Sequence, residues 1–144
     1  MKESFSMEKI DRDRIALGVK QPWAELILQG VKTLEIRSRP TNICGRIYLY
    51  TSKKNAQEDF AWQAIKTHQL EIESLPTGLL VGSVEIIRCR KTVAQDEQAS
   101  CVPSNILSGC YAWELGLPQR FQEPLPVRFL PYGVWFYPFK RREK

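Results

Sequence analysis

Two hydrophobic periods alternate along the chain. In "RIALGVK" (Arg14–Lys20), Ile15, Leu17 and Val19 recur at every second position, the pattern of a half-buried strand. The period then changes in "QPWAELILQG", where Trp23, Leu26 and Ile27 fall at i, i+3 and i+4 and give a short helix one apolar face. Pro22 suits its first position and Gly30 the residue past its end, so the helix has two turns or a little more. Period two returns in "GVKTLEIRSRP" (Gly30–Pro40), with Leu34 and Ile36 alternating with Thr33, Glu35 and Arg37 until Arg39-Pro40 breaks the strand.

The β-branched and aromatic run "GRIYLYTSKK" (Gly45–Lys54) predicts another strand. Asn55 followed by Glu58 resembles a helix start, and Phe60, Ala61, Ala64 and Ile65 continue a helical stripe to about His68. "TGLLVGSVEIIRCRK" (Thr77–Lys91) predicts a long strand bent at Gly82. Residues 92–108 are polar and irregular, a loop with room for one helical turn. "GCYAWEL" (Gly109–Leu115) is a strand, the proline-rich stretch after it an extended connection with a short edge strand, and "GVWFY" (Gly133–Tyr137) the last strand. About six strands and two or three short helices make an α+β fold, a small, mostly antiparallel β-barrel with helices at its ends. Residues 14–139 form the domain, 1–13 an N-terminal extension and 140–144 a basic tail.

Charge sharpens the picture. The net charge is +5, but residues 1–54 carry +5, residues 55–139 carry −3 and "KRREK" at 140–144 carries +3. Lys20 to Lys54 alone holds seven bases against Glu25 and Glu35, which predicts an anionic partner near that stretch. No apolar run approaches the roughly 20 residues of a membrane span. The charged start "MKESFSMEKIDRDR", in which Met7 is an alternative initiator, lacks the apolar core of a signal peptide, so the expectation is a cytoplasmic protein with no membrane partner. Cys44, Cys89, Cys101 and Cys110 are irregularly spaced and His68 is the one histidine; no metal site and no cofactor is expected, and the thiols are read as free and buried. His68 is read as an exposed helix-end residue favoured by the helix dipole, with no catalytic role.

The candidate chemistry gathers around the strand at Leu34–Ile36. Thr33, Glu35 and Arg37 share one face; if Leu34 and Ile36 face the core, the charged face lines whatever lies opposite. Lys32 sits in the turn before it, Gln21 and Trp23 offer an amide and a ring for a planar ligand, and Lys53 and Lys54 return to the same end of a small barrel. Each of the last two is individually read as solvated, and Tyr111, Trp113 and Trp135 as core. A partly solvated charged set of this kind implies a cost of roughly 1–2 kcal/mol for Lys32→Ala or Glu35→Gln.

"GVKTLEIR" matches the G-x-K-x-x-E-x-R signature of the ASCH domain, and "ALGVKQPWAELILQG", "GRIYLYTSKK", "GLLVGSVEI", "GCYAWEL" and "EPLPV" resemble the family's other blocks in order, over roughly residues 14–137. The resemblance implies a barrel related to the PUA domain, with a cleft suited to RNA or a nucleotide. Ligand contacts are then expected from Gln21, Trp23, Lys32, Thr33, Glu35, Arg37 and Lys53. Some small members of the family are amidohydrolases of N4-acetylated cytidine, and ribonuclease activity is attributed to another. The lysine of that amidohydrolase set corresponds to Lys32. The threonine three residues later is Glu35 here, and Glu85 is one position for the third member, a glutamate. Three functions stay open: an RNA- or modified-nucleoside-binding module; a small hydrolase of nucleoside or RNA with Lys32 and Glu35 catalytic; and a protein-interaction adaptor.

Overall fold

The structure is a computed structural model and describes residues 10–141; most of the predicted N-terminal extension (1–9) and the last three residues of the predicted tail (142–144) lie outside the described residues. The elements run β1 (Ala16–Val19), α1 (Trp23–Leu28), β2 (Leu34–Arg37), β3 (Gly45–Thr51), α2 (Asp59–Thr67), β4 (Leu80–Lys91), α3 (Glu97–Ser100), α4 (Ser104–Leu107), β5 (Tyr111–Leu125) and β6 (Trp135–Phe136). All six strands join one sheet in the order β2-β5-β4-β3-β1-β6. Pairing is antiparallel except between β1 and β3, which are parallel. The fold is the expected α+β one, and the sheet is not closed. Its two ends approach each other, each edge strand reaching the strand next to the other edge: Arg37 Nη2 of β2 donates to the Gly18 carbonyl of β1 at 3.0 Å, and Trp113 of β5 stacks on Trp135 of β6 at 5.8 Å.

Both faces of the sheet are buried at its centre. In β3, Ile47 and Leu49 enter one apolar cluster with Leu17, Val19, Leu26, Ile27 and Trp113. Tyr48 and Tyr50, pointing the other way, enter a second with Ala16, Phe121, Phe136 and Phe139. A strand covered on both sides reads as a continuous apolar run, which is why "IYLYT" is buried throughout. Ile10 belongs to the second cluster, and the neighbouring Asp11 N–H donates to the Tyr48 hydroxyl at 2.8 Å, so the domain's packing begins before Arg14.

Gly82 marks the predicted bend, with a register shift between Leu80 and Gly82. A Cβ there would stand 2.2 Å from the Gln119 carbonyl and 2.8 Å from Leu28 of α1, so only glycine lets helix and strand approach this closely. The irregularity also lets Val81 and the pair Val84 and Ile86 face the same cluster despite their odd spacing.

Three expectations are corrected. The proline-rich stretch is not a separate connection: β5 continues through Pro118 and Pro124 for 15 residues. Its pairing with β2 ends at Glu114, with one further bond from the Leu115 N–H to the Thr33 carbonyl, so past Leu115 that edge of β5 is open and a missing N–H costs no ladder bond. Residues 92–108 hold a 3-10 turn (Ala94–Asp96) and the short helices α3 and α4, tied down by Asp96, whose carboxylate takes the Arg90 fork at 2.9 Å and the Val93 N–H at 2.8 Å. The cysteines are free, but Cys44 is exposed and the other three are half-buried. Two smaller differences follow: the last strand is only Trp135–Phe136, and His68, at the C-terminal cap of α2, is half-buried rather than exposed.

Candidate nucleotide-binding cleft at the open seam

Register decides where the charged strand points. Glu35 pairs with Trp113 and Arg37 with Tyr111, and directly paired residues project from the same face. Trp113 is core, so Glu35 and Arg37 lie inside the curl of the sheet, while Leu34 and Ile36 occupy the other face. The alternation is as expected, but its polarity is reversed. The charged groups are therefore far more buried than a solvated strand face.

Lys32 is 3% exposed and Glu35 6%. The Lys32 ammonium donates to the Ser100 carbonyl, lies 3.7 Å from Glu35 Oε1 and sits 5.2 Å over the Trp23 ring. Arg37 reaches the other carboxylate oxygen, Oε2, through Nε and Nη2 at 2.8 Å, and its guanidinium lies 5.5 Å over Trp113. Glu35 thus bridges two cations, leaving the trio one positive charge in excess. Burial pushes the Lys32 ammonium below its ordinary pKa, and the Glu35 carboxylate only partly offsets that loss of hydration. For Glu35→Gln, which strands a buried cation, the roughly 1–2 kcal/mol expected of a partly solvated set gives way to the roughly 3–5 kcal/mol of a broken buried pair.

These groups open onto a cleft of about 560 Å³ at the seam between the edge strands. Four of the predicted site residues line it: Trp23, Lys32, Glu35 and Arg37. Three do not. The Gln21 amide is committed inside the fold, donating to the Pro76 carbonyl at 3.1 Å and accepting from the Glu25 N–H at 2.9 Å. Thr33 is exposed, and its backbone ties β2 to Ala99 and Leu115. Lys53 is exposed and its stem packs against Gly78. Trp23 is not a free platform, because its ring is engaged by Lys32 and by Phe60, stacked at 5.7 Å. Glu85 pairs with Arg46 at 3.2 Å and does not line the cleft.

The sequence reading missed the rest of the lining. Glu58 and half-buried Phe60 come from the start of α2, and the Trp23 indole N–H points to Glu58 Oε2 at 3.4 Å. Lys20 and Ser38 are exposed at the cleft, and Val102 and Ile106 of the 92–108 segment line it together with Gly133 and Val134. Glu58 and Phe60 carried a signal, since both open a predicted helix, but nothing in Ser38 or Ile106 marks them.

Comparison with known proteins agrees with this fold. The family model described as "ASCH domain" matches residues 17–125. Activating signal cointegrator 1 of Mus musculus is 30% identical over 126 residues, 83% of this chain and 21% of that protein; the Homo sapiens protein of the same name is 32% identical over 80 residues, 51% of this chain and 14% of that protein. The chain therefore spans about a fifth or less of the curated relatives it matches. The crystal structure of ASCH from Zymomonas mobilis superposes with a TM-score of 0.59 at 15% identity, covering 88% of both chains. On the strength of the matched family model, the chain belongs to the ASCH-domain family.

Proposed function

We propose that the cleft binds one nucleotide unit of an RNA. The observation that carries this reading is the conjunction, in one cleft, of an aromatic wall, a cationic edge and a volume suited to a small ligand. Its volume falls within the roughly 300–1,000 Å³ of small-molecule sites. Phe60 offers the base an apolar surface, Ser38, Ser52 and Glu58 offer polar edges, and Lys20 and Arg37 neutralise phosphate. Lys32 acts from within: it is too buried to reach a phosphate in solvent, so it orients Glu35 and adds positive potential. The test is titration of a short single-stranded oligoribonucleotide, and of a modified nucleoside, at two salt concentrations. RNA affinity should fall with salt, and Arg37→Gln should weaken it; absence of binding by RNA, nucleotide and nucleoside alike overturns the reading.

One observation favours a second reading, hydrolysis. A buried lysine with a lowered pKa, 3.7 Å from a carboxylate, is the kind of group that serves as a general base. In this reading Lys32 is the base and Glu35 relays the proton. Lys32→Arg would keep the charge and abolish turnover, and parent protein that consumes neither N4-acetylcytidine nor RNA excludes both tested reactions.

A further inference from the structure

A second cationic surface lies where the two ends of the domain meet. The Arg128 and Phe129 N–H groups both donate to the Pro138 carbonyl at 3.0 Å, which folds the segment after β5 back onto the chain leaving β6. On the surface so formed, two guanidiniums converge on one half-buried ring: Arg128 at 5.5 Å and Arg141 at 5.7 Å from the centre of Phe129. Arg12 adds a third, 6.0 Å over Phe139, and Lys140 lies 4.5 Å over Tyr137. Among the described residues, Asp11 pairs with Arg14 and Asp13 lies 3.9 Å from Lys140. Among the described residues, Arg12, Arg128 and Arg141 form no ion pair.

Gathering like charges costs free energy unless an anion joins them. Contact with a ring holds a guanidinium in place by cation–π attraction without using its N–H groups, which leaves them for phosphate. The same segment connects this surface to the cleft. Pro131, Gly133 and Val134 line the cleft, two to five residues after Phe129, so a single extended strand of nucleic acid leaving the cleft can run along it.

We propose that Arg128 and Arg141, clasped on Phe129, form a phosphate-binding rail that holds the RNA backbone flanking the nucleotide in the cleft. This rests on the RNA reading of the cleft and adds to it: the ligand is a single-stranded segment longer than one nucleotide. Phosphates bound here contribute affinity and register but no base selectivity.

The test compares the parent with Arg128→Gln/Arg141→Gln, both residues being exposed and outside the cleft. Each is titrated with a labelled single-stranded oligoribonucleotide over a salt series and with a nucleoside monophosphate, after a thermal melt confirms folding. The rail predicts that the double variant loses oligonucleotide affinity on the order of tenfold at low salt and that its log–log salt slope becomes shallower by about 1.4, about 0.7 per phosphate. Monophosphate affinity should be unchanged, and Arg128→Lys/Arg141→Lys should restore part of the slope. If oligonucleotide affinity and slope are unchanged while Arg37→Gln still weakens binding, the rail is overturned and the cleft reading stands. If the parent binds the monophosphate as well as the oligonucleotide, the rail is overturned in the same way. If the parent binds neither, both readings fall.

Discussion

Replacing Glu35 by Gln tests the buried charge relay most sharply. Glu35 is 6% exposed and stands between Lys32 and Arg37. Glutamine keeps the shape and one oxygen for Arg37 but removes the charge that holds the Lys32 ammonium in the interior. That ammonium then keeps the Ser100 carbonyl and the Trp23 ring but no counter-charge within its pair. Breaking one side of a buried pair costs about 3–5 kcal/mol, so a loss near 3 kcal/mol is expected at pH 7. Lys32→Met should cost less, about 1 kcal/mol, because Glu35 keeps Arg37 at 2.8 Å; the bond to Ser100, the 3.7 Å pair with Glu35 and the contact with Trp23 are lost, but the desolvation cost of a buried ammonium is removed with them. The cost of Glu35→Gln should also depend on pH. Burial already holds Lys32 below its ordinary pKa, and loss of Glu35 lowers it further. A lysine with a depressed folded-state pKa binds fewer protons folded than unfolded, so stability rises with pH between the folded value and the unfolded one of about 10.4. The deficit of Glu35→Gln should therefore shrink between pH 7 and pH 9.5, and urea denaturation of parent and both variants at the two pH values reads it. A deficit below about 1 kcal/mol at pH 7, or one that grows with pH, would refute the buried relay.

Other outcomes follow from the same structure. Gly82→Ala places a methyl 2.2 Å from the Gln119 carbonyl and should cost about 3 kcal/mol or more, read as a large fall in Tm. Asp96→Asn removes the charge that the Arg90 fork binds; with Arg90 30% exposed, about 1–2 kcal/mol should be lost in urea denaturation at pH 7. Hydrogen bonds from Arg90 hold the Asp96 carboxyl below the usual range, and those from Arg88 and Arg90 do the same for Glu114. Burial pushes Glu25 up, but hydrogen bonds from Arg120 and Gln29 outweigh it and leave that carboxyl lowered. Carboxyls with depressed folded-state pKa values contribute stability above about pH 4 that is lost as pH falls through the folded values, so an acid titration should show an early decline that Asp96→Asn makes shallower.

Much of the fold was legible because local periodicity and turn chemistry agreed. Leu17 and Val19, Phe60 through Ile65 and the aromatic run of β3 were assigned to the right elements, and Gly82 to the right bend. What local pattern cannot carry is the global choice of inside and outside. The alternation of Leu34 and Ile36 with Glu35 and Arg37 fixed two faces, but only pairing with Trp113 decided that the charged face turns inward. The prolines of β5 argue against a strand paired on both edges, and rightly so; that the pairing with β2 stops at Glu114 is a property of the sheet. The same limit applied to the cleft. Lys32, Glu35 and Arg37 are neighbours in sequence and were found together, whereas Phe60, Val102, Ile106 and Val134 meet only after the sheet curls. Gln21 lies outside the cleft lining, its amide bound to Pro76, 55 residues away.

The central claim is that RNA enters the seam over the Lys32–Glu35–Arg37 relay. Its most direct test is chemical-shift mapping of the isotope-labelled full chain during titration with a short single-stranded oligoribonucleotide. The largest shifts should fall on Lys20, the Trp23 indole, the Arg37 side chain, Ser38 and Phe60 and decline as salt rises. A spectrum that does not move, or shifts confined to the far side of the sheet around Arg88 and Arg90, would contradict it.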